Sequence, residues 1–101
     1  MRLDKFLKVT NLLKRRTVAN EVADEGAIKV NGKVAKPSYT VKNGDIITID
    51  LWNYEKVVKV IQVPEKNSIR KTEIDKYIEI VSYKTKSPPI DQNFDDSDDL
   101  F

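Results

Sequence analysis

"RTVANEVADEGAIKVNGKVAK", residues 16–36, changes its period halfway through. Up to Glu25 the apolar residues Val18, Ala19, Val22 and Ala23 recur at helical spacing, so a helix is expected from about Arg16 to Glu25 with these four on its inner face. Gly26 follows, a residue suited to ending a helix in the left-handed region. The pattern then alternates, with Ile28, Val30 and Val34 as the apolar members of two strands. Asn31-Gly32 lies between them, and a type I′ hairpin turn requires positive φ at both central residues. A helix that runs straight into a tight hairpin predicts an α+β arrangement.

Upstream, Leu3, Phe6 and Leu7 follow the i, i+3, i+4 rule, so residues 2–9 read as a short amphipathic helix. Asp4 sits in its first turn, where a carboxylate suits the dipole, and is spaced to pair with Lys8. Downstream, Pro37 ends the second hairpin arm or puts it at an edge. Asn43-Gly44 marks another turn, and the apolar run after it another strand. Residues 56–63, "KVVKVIQV", form a near-continuous apolar run that predicts a strand buried on both faces. Residues 69–76 allow one or two helical turns, and residues 77–83, "YIEIVSY", alternate as a last strand. The fold class is therefore α+β: two short N-terminal helices packed on a small, mostly antiparallel sheet. One domain is expected over residues 1–86. Residues 87–101, with two prolines and five aspartates, bury too little apolar surface to offset their ordering entropy and read as a disordered acidic tail.

Composition narrows the function. The 101 residues contain neither cysteine nor histidine. That removes disulfides, thiolate metal sites, and the commonest general base and metal ligand. No cofactor or metal is expected, and an enzyme is disfavoured. No segment resembles a secretory signal or a membrane span, so a cytoplasmic protein is expected, with no membrane partner. Residues 1–50 carry ten Lys/Arg against six Asp/Glu and residues 51–86 eight against five, while residues 87–101 carry five acids and no base. A basic body with an acidic tail points to a polyanion, or to a merely well-solvated surface.

The cations cluster at an unusual place. Lys14, Arg15 and Arg16 stand at the start of the second helix, where the macrodipole is already positive. Stability alone favours acids there. Free N–H groups, a positive dipole end and arginine forks suit a phosphate. A tight turn at Thr10–Lys14 would bring Arg2, Lys5 and Lys8 beside them, against Asp4 as the one acid. On this reading, removing Arg2 and Arg16 relieves repulsion and leaves the fold intact. The bland alternative is that Lys14–Arg16 cap the carbonyls ending the first helix. Lys33 and Lys36 flank the hairpin and extend the basic surface. Trp52 and Tyr54 are suited either to stacking on bases or to plugging the underside of the sheet. Asn31 and Asp45 read as turn residues.

Arg2-Leu3-Asp4, Arg16, Gly26, Val30-Asn31-Gly32, Lys36-Pro37 and Gly44-Asp45 together resemble the alpha-L RNA-binding domain, the S-four type of a small-subunit ribosomal protein. The likeness covers about residues 1–50. In size and wording the chain is most similar to the RqcP-like (YabO) branch of that family, with the ribosome-associated heat-shock protein as a related member. The resemblance implies RNA as the partner, and Arg2 and Arg16 as residues that touch it. It further implies binding to an obstructed large ribosomal subunit, through rRNA and peptidyl-tRNA, in support of alanine tailing by RqcH. A monomer is expected. The alternative is a general ribosome-assembly or structural rRNA-binding protein. The residues expected to bind RNA are Arg2, Lys5, Lys8, Lys14, Arg15, Arg16, Lys33 and Lys36.

Overall fold

The computed structural model describes residues 1–86. The acidic-tail reading of residues 87–101 lies outside the described residues. Helix α1 spans Leu3–Val9 and α2 spans Arg16–Asp24. The strands are β1 Ile28–Val30, β2 Lys33–Val34, β3 Ile46–Asp50, β4 Tyr54–Val60 and β5 Ile78–Thr85, with a 3-10 helix at Lys71–Lys76 before the last. They form one antiparallel sheet in the order β2-β1-β3-β4-β5, with the helices against one face.

The core follows the two periodicities. Helix α1 contributes Leu3, Phe6 and Leu7, all fully buried, and the sheet contributes Ile28, Val30, Ile47, Ile49, Val58 and Val60. Helix α2 turns Ala19 and Ala23 inward. Side chains this small let its backbone lie close to α1. Val18, expected on that inner face, is 39% exposed instead, and Val22 is only partly buried.

The helix ends are settled by named contacts. Asn11 adopts φ 60° just past α1, a left-handed stop that the sequence pattern did not reveal. At the other end of α1 no side chain caps the helix. The connection after β2 does so: Tyr39 O accepts the Leu3 N–H at 2.7 Å and Pro37 O accepts the Asp4 N–H at 3.2 Å. Thus the first residues of the chain are stitched to the segment that follows the hairpin.

Asn31 and Gly32 have φ 54° and 85°, as the type I′ turn requires. The turn pairs Val30 with Lys33 and Lys29 with Val34. Residues directly opposite share a face, so an even turn sends Val34 outward with Lys29 and brings Ala35 inward. Val34 is 61% exposed and Ala35 buried, which corrects the expectation for Val34. The arm also stops at Val34, before Pro37. Strand β4 departs from expectation as well. It ends at Val60 rather than residue 63, and only Val58 and Val60 are buried while Lys59 is exposed. One face is covered, not both, because the helices lie on one side only. In β5, Ile78 alone is buried.

Candidate nucleic-acid interface

Asp4 organises the basic surface. Its carboxylate is 2% exposed, yet it accepts hydrogen bonds from both ends of the chain's first fifth. Arg2 donates twice, from Nε to Oδ1 at 3.2 Å and from Nη2 to Oδ2 at 3.1 Å. The Lys5 N–H donates to Oδ1 at 2.7 Å, and Asn20 Nδ2 reaches Oδ2 from α2 at 3.2 Å. Arg16 Nε lies 3.6 Å from the same Oδ2. Burial would raise the Asp4 carboxyl, but the Arg2, Asn20 and Lys5 hydrogen bonds and the Arg16 charge together hold it below the usual carboxylate value. The expected pairing of Asp4 with Lys8 does not form, since the acid is already saturated by these donors.

Two guanidiniums on one carboxylate leave a net positive site, and both arginine side chains stay about half exposed. Arg16 engages Asp4 through Nε, so its terminal nitrogens have no partner among the described residues. The start of α2 lies beside it. Its N-cap, Arg15, makes no side-chain cap bond, the first turn holds no acid, and the first helical bond is donated by Ala19. The N–H groups of Arg16, Thr17 and Val18 therefore point out of the helix without a protein acceptor among the described residues. This arrangement can take an anion at the face formed by α1 and α2. It also reverses one expectation. The cations here are not left to repel one another, because Asp4 neutralises part of their charge. Removing both arginines would strand a buried carboxylate.

The other expected contacts divide by location. Lys36 shares a cleft with Arg2, Asn20 and Pro37 between α2 and the β2 edge, and Lys33 lines the adjoining hollow with Lys36. Lys14 does not join that group. It faces the 3-10 helix across another cleft, with Lys71 and Ile74, because the left-handed Asn11 redirects the connection between the helices. Lys5 is partly buried, whereas Lys8 and Arg15 are exposed, and none of the three forms an ion pair among the described residues. Asn20, at Asp4, and Lys71, in the cleft with Lys14, carry no local sequence signal that marks these positions.

A second buried acid holds the far side of this surface. Asp45 accepts from Asn31 Nδ2 at 3.1 Å, Tyr39 Oη at 2.8 Å and the Lys42 N–H at 2.9 Å. Asn31 Oδ1 in turn accepts the Ile46 N–H at 3.0 Å. These bonds tie the hairpin tip to β3 and to the segment that caps α1. Burial opposes ionisation of Asp45, and the Lys42, Tyr39 and Asn31 hydrogen bonds outweigh it, so its carboxyl also lies below the usual value.

Residues 1–47, which hold both helices, the β1–β2 hairpin and the buried Asp4, match the S4 domain family. The chain is 49% identical over 82 residues to the RQC P-site tRNA stabilizing factor of Streptococcus pneumoniae, covering 81% of this chain and 91% of that one. Among solved structures, hypothetical protein HP1423 superposes with a TM-score of 0.71 at 33% identity, covering 81% of this chain and 98% of that one. Vibrio cholerae heat shock protein 15 superposes with a TM-score of 0.72 at 26% identity, covering 81% and 82%. The chain belongs to the family of RQC P-site tRNA stabilizing factors.

Proposed function

We propose that the protein is a non-catalytic RNA-binding factor of ribosome-associated quality control. It binds an obstructed large ribosomal subunit through rRNA and peptidyl-tRNA, and supports RqcH-directed addition of a C-terminal alanine tail. The observation that carries this reading is the Asp4-held pair of Arg2 and Arg16 beside the uncapped start of α2. The name of the Streptococcus pneumoniae relative, a P-site tRNA stabilizing factor, supports tRNA as one ligand.

The physical role is positional. A stranded peptidyl-tRNA reacts productively only if it is held in one geometry, and holding it converts a loose encounter into an oriented one. Phosphates supply the charge that the arginine pair lacks. Arg2, Arg16 and Lys36 on one side, with Arg15, Lys5 and Lys8 on the helices and Lys33 at the hairpin, grip the backbone of folded RNA. Lys14 extends the contact toward Lys71. Contacts to phosphates carry the shape of the RNA rather than its base sequence.

Co-sedimentation of the full chain with large subunits across a salt series tests this. Binding should weaken with a log–log slope of roughly −0.7 to −0.9 per phosphate neutralised, and Arg16→Ala should make the slope shallower. Arg16→Lys keeps the charge but loses the fork, and should bind at an intermediate level. Enrichment on particles that retain peptidyl-tRNA is expected. Enrichment on immature, empty subunits would favour a general assembly factor. Retained binding with an unchanged slope in Arg16→Ala would move the site away from these helices.

A further inference from the structure

The ribbon of β4 and β5 extends past the helices, and its two faces differ in kind. On the face turned away from the helices, Lys59 stands opposite Glu79, Glu55 opposite Lys84, and Lys86 pairs with Asp50. Such cross-strand alternation is what a solvated face needs. The helix-side face is set by the register. Lys56 lies opposite the buried Ile49, Tyr83 opposite Lys56, and Ile80 opposite the buried Val58. Tyr54 shares this face and carries Thr85 as its partner. No acid stands on this part of the ribbon among the described residues.

The groups on it are organised. The Tyr54 and Tyr83 rings lie 5.7 Å apart at 38°. The Lys56 ammonium stands 5.7 Å from the first ring centroid and 5.3 Å from the second, and forms no ion pair among the described residues. Tyr83 and Ile80 are about half exposed, and Trp52, in the turn that starts the ribbon, is 81% exposed. Trp52 is therefore no plug beneath the sheet.

We infer that the helix-side face of the β4–β5 ribbon is a second RNA contact, which takes unpaired bases by stacking on Tyr83 with Lys56 at the neighbouring phosphate, beside the turn that carries Trp52. Aromatic rings beside a cation that has no acid partner on this face among the described residues match a base and its backbone charge. The contact lies on the same side of the sheet as the arginine pair, across strands that span about 19 Å. It deepens the RNA-binding reading above and rests on it, assigning stacked bases to one end and structured backbone to the other.

Trp52 is the chain's only tryptophan, so its fluorescence reports on the end of the ribbon where it stands. Titrating the full chain with a single-stranded oligoadenylate of about ten nucleotides should quench it saturably, and a matched RNA duplex should quench it far less. Tyr83→Ala and Lys56→Gln should each weaken the single-strand affinity by roughly five-fold or more, whereas Tyr83→Phe, which keeps the ring, should bind as the parent does. Absence of a saturable quench, equal quenching by duplex, or an unchanged affinity in Tyr83→Ala would overturn the inference. So would a Tyr83→Ala variant that keeps its RNA affinity but loses a protein partner from co-sedimented particles. If the parent binds large subunits and yet gives no quench, only this inference falls. If the parent fails to bind large subunits, the function proposed above falls first.

Discussion

Asp4 and Asp45 are both buried carboxylates, both held below their usual pKa, and both tied to segments distant in sequence, yet they do different work. Asp45 is satisfied by neutral donors and the local backbone: an amide, a phenol and an N–H. These donors hold the carboxylate in place without cancelling its charge, which Lys42 offsets from nearby. Asp4 is hydrogen-bonded by Arg2, Asn20 and the Lys5 N–H, with the Arg16 guanidinium 3.6 Å away, and both arginines remain half in solvent. It fixes their direction while cancelling only part of their charge. A buried acid can thus serve as a staple or as a mount, and what separates the two roles is the charge of its partners.

Removing the staple should have the largest effect on stability. Asp45→Ala leaves Asn31, Tyr39 and Lys42 short of an acceptor and should cost about 2–3 kcal/mol in denaturant unfolding. RNA affinity per folded molecule and its salt slope should not move. A change in slope would mean that Asp45 shapes the binding face directly.

Breaking the mount should cost less stability and more binding. Asp4→Ala should lose about 1–2 kcal/mol, because the freed arginines can turn to water. Although the variant gains net positive charge, its affinity for large subunits should fall, since Arg2 and Arg16 lose their common anchor. Tighter binding would show that charge, not direction, governs the contact.

Acid sharpens the same contrast. Each carboxyl has a folded pKa below the ordinary aspartate value of 3.8. Each therefore contributes stability that is present above about pH 4 and is lost as pH falls through the lower folded value. Melting curves should drop in that window, and Asp4→Asn or Asp45→Asn should each flatten part of the drop. A parent protein whose melting temperature is level through this range would contradict both assignments.

A smaller effect is expected where the hairpin reaches the staple. Gly32 has φ 85° and open space around it, so Gly32→Val suffers backbone strain rather than a clash and should cost about 1–2 kcal/mol in thermal unfolding. The exposed Lys86–Asp50 pair sits outside both networks, and Lys86→Ala should leave the melting temperature within experimental scatter at physiological salt.

Much of this protein is determined by local chemistry. The period change around Gly26, the Asn31-Gly32 turn and the Leu3, Phe6, Leu7 stripe all act within a few residues, so the order and type of elements could be read from the chain. Arg2 and Arg16 stand out by charge and by the S-four resemblance, and the structure brings both to one carboxylate. What the tertiary structure decided lies in contacts between distant positions. Asp4 meets Asn20 from 16 residues away, and Asp45 meets Asn31 from 14. No spacing rule reports such partners, so a first-turn acid and a turn aspartate looked alike and ordinary. Val34 and the β4 run misled for a related reason. Alternation fixes which residues share a face, but the parity of the turn and the reach of the helices decide which face is covered. The same packing left a partly buried Lys56 against the rings of Tyr54 and Tyr83, where only the tertiary arrangement could put it.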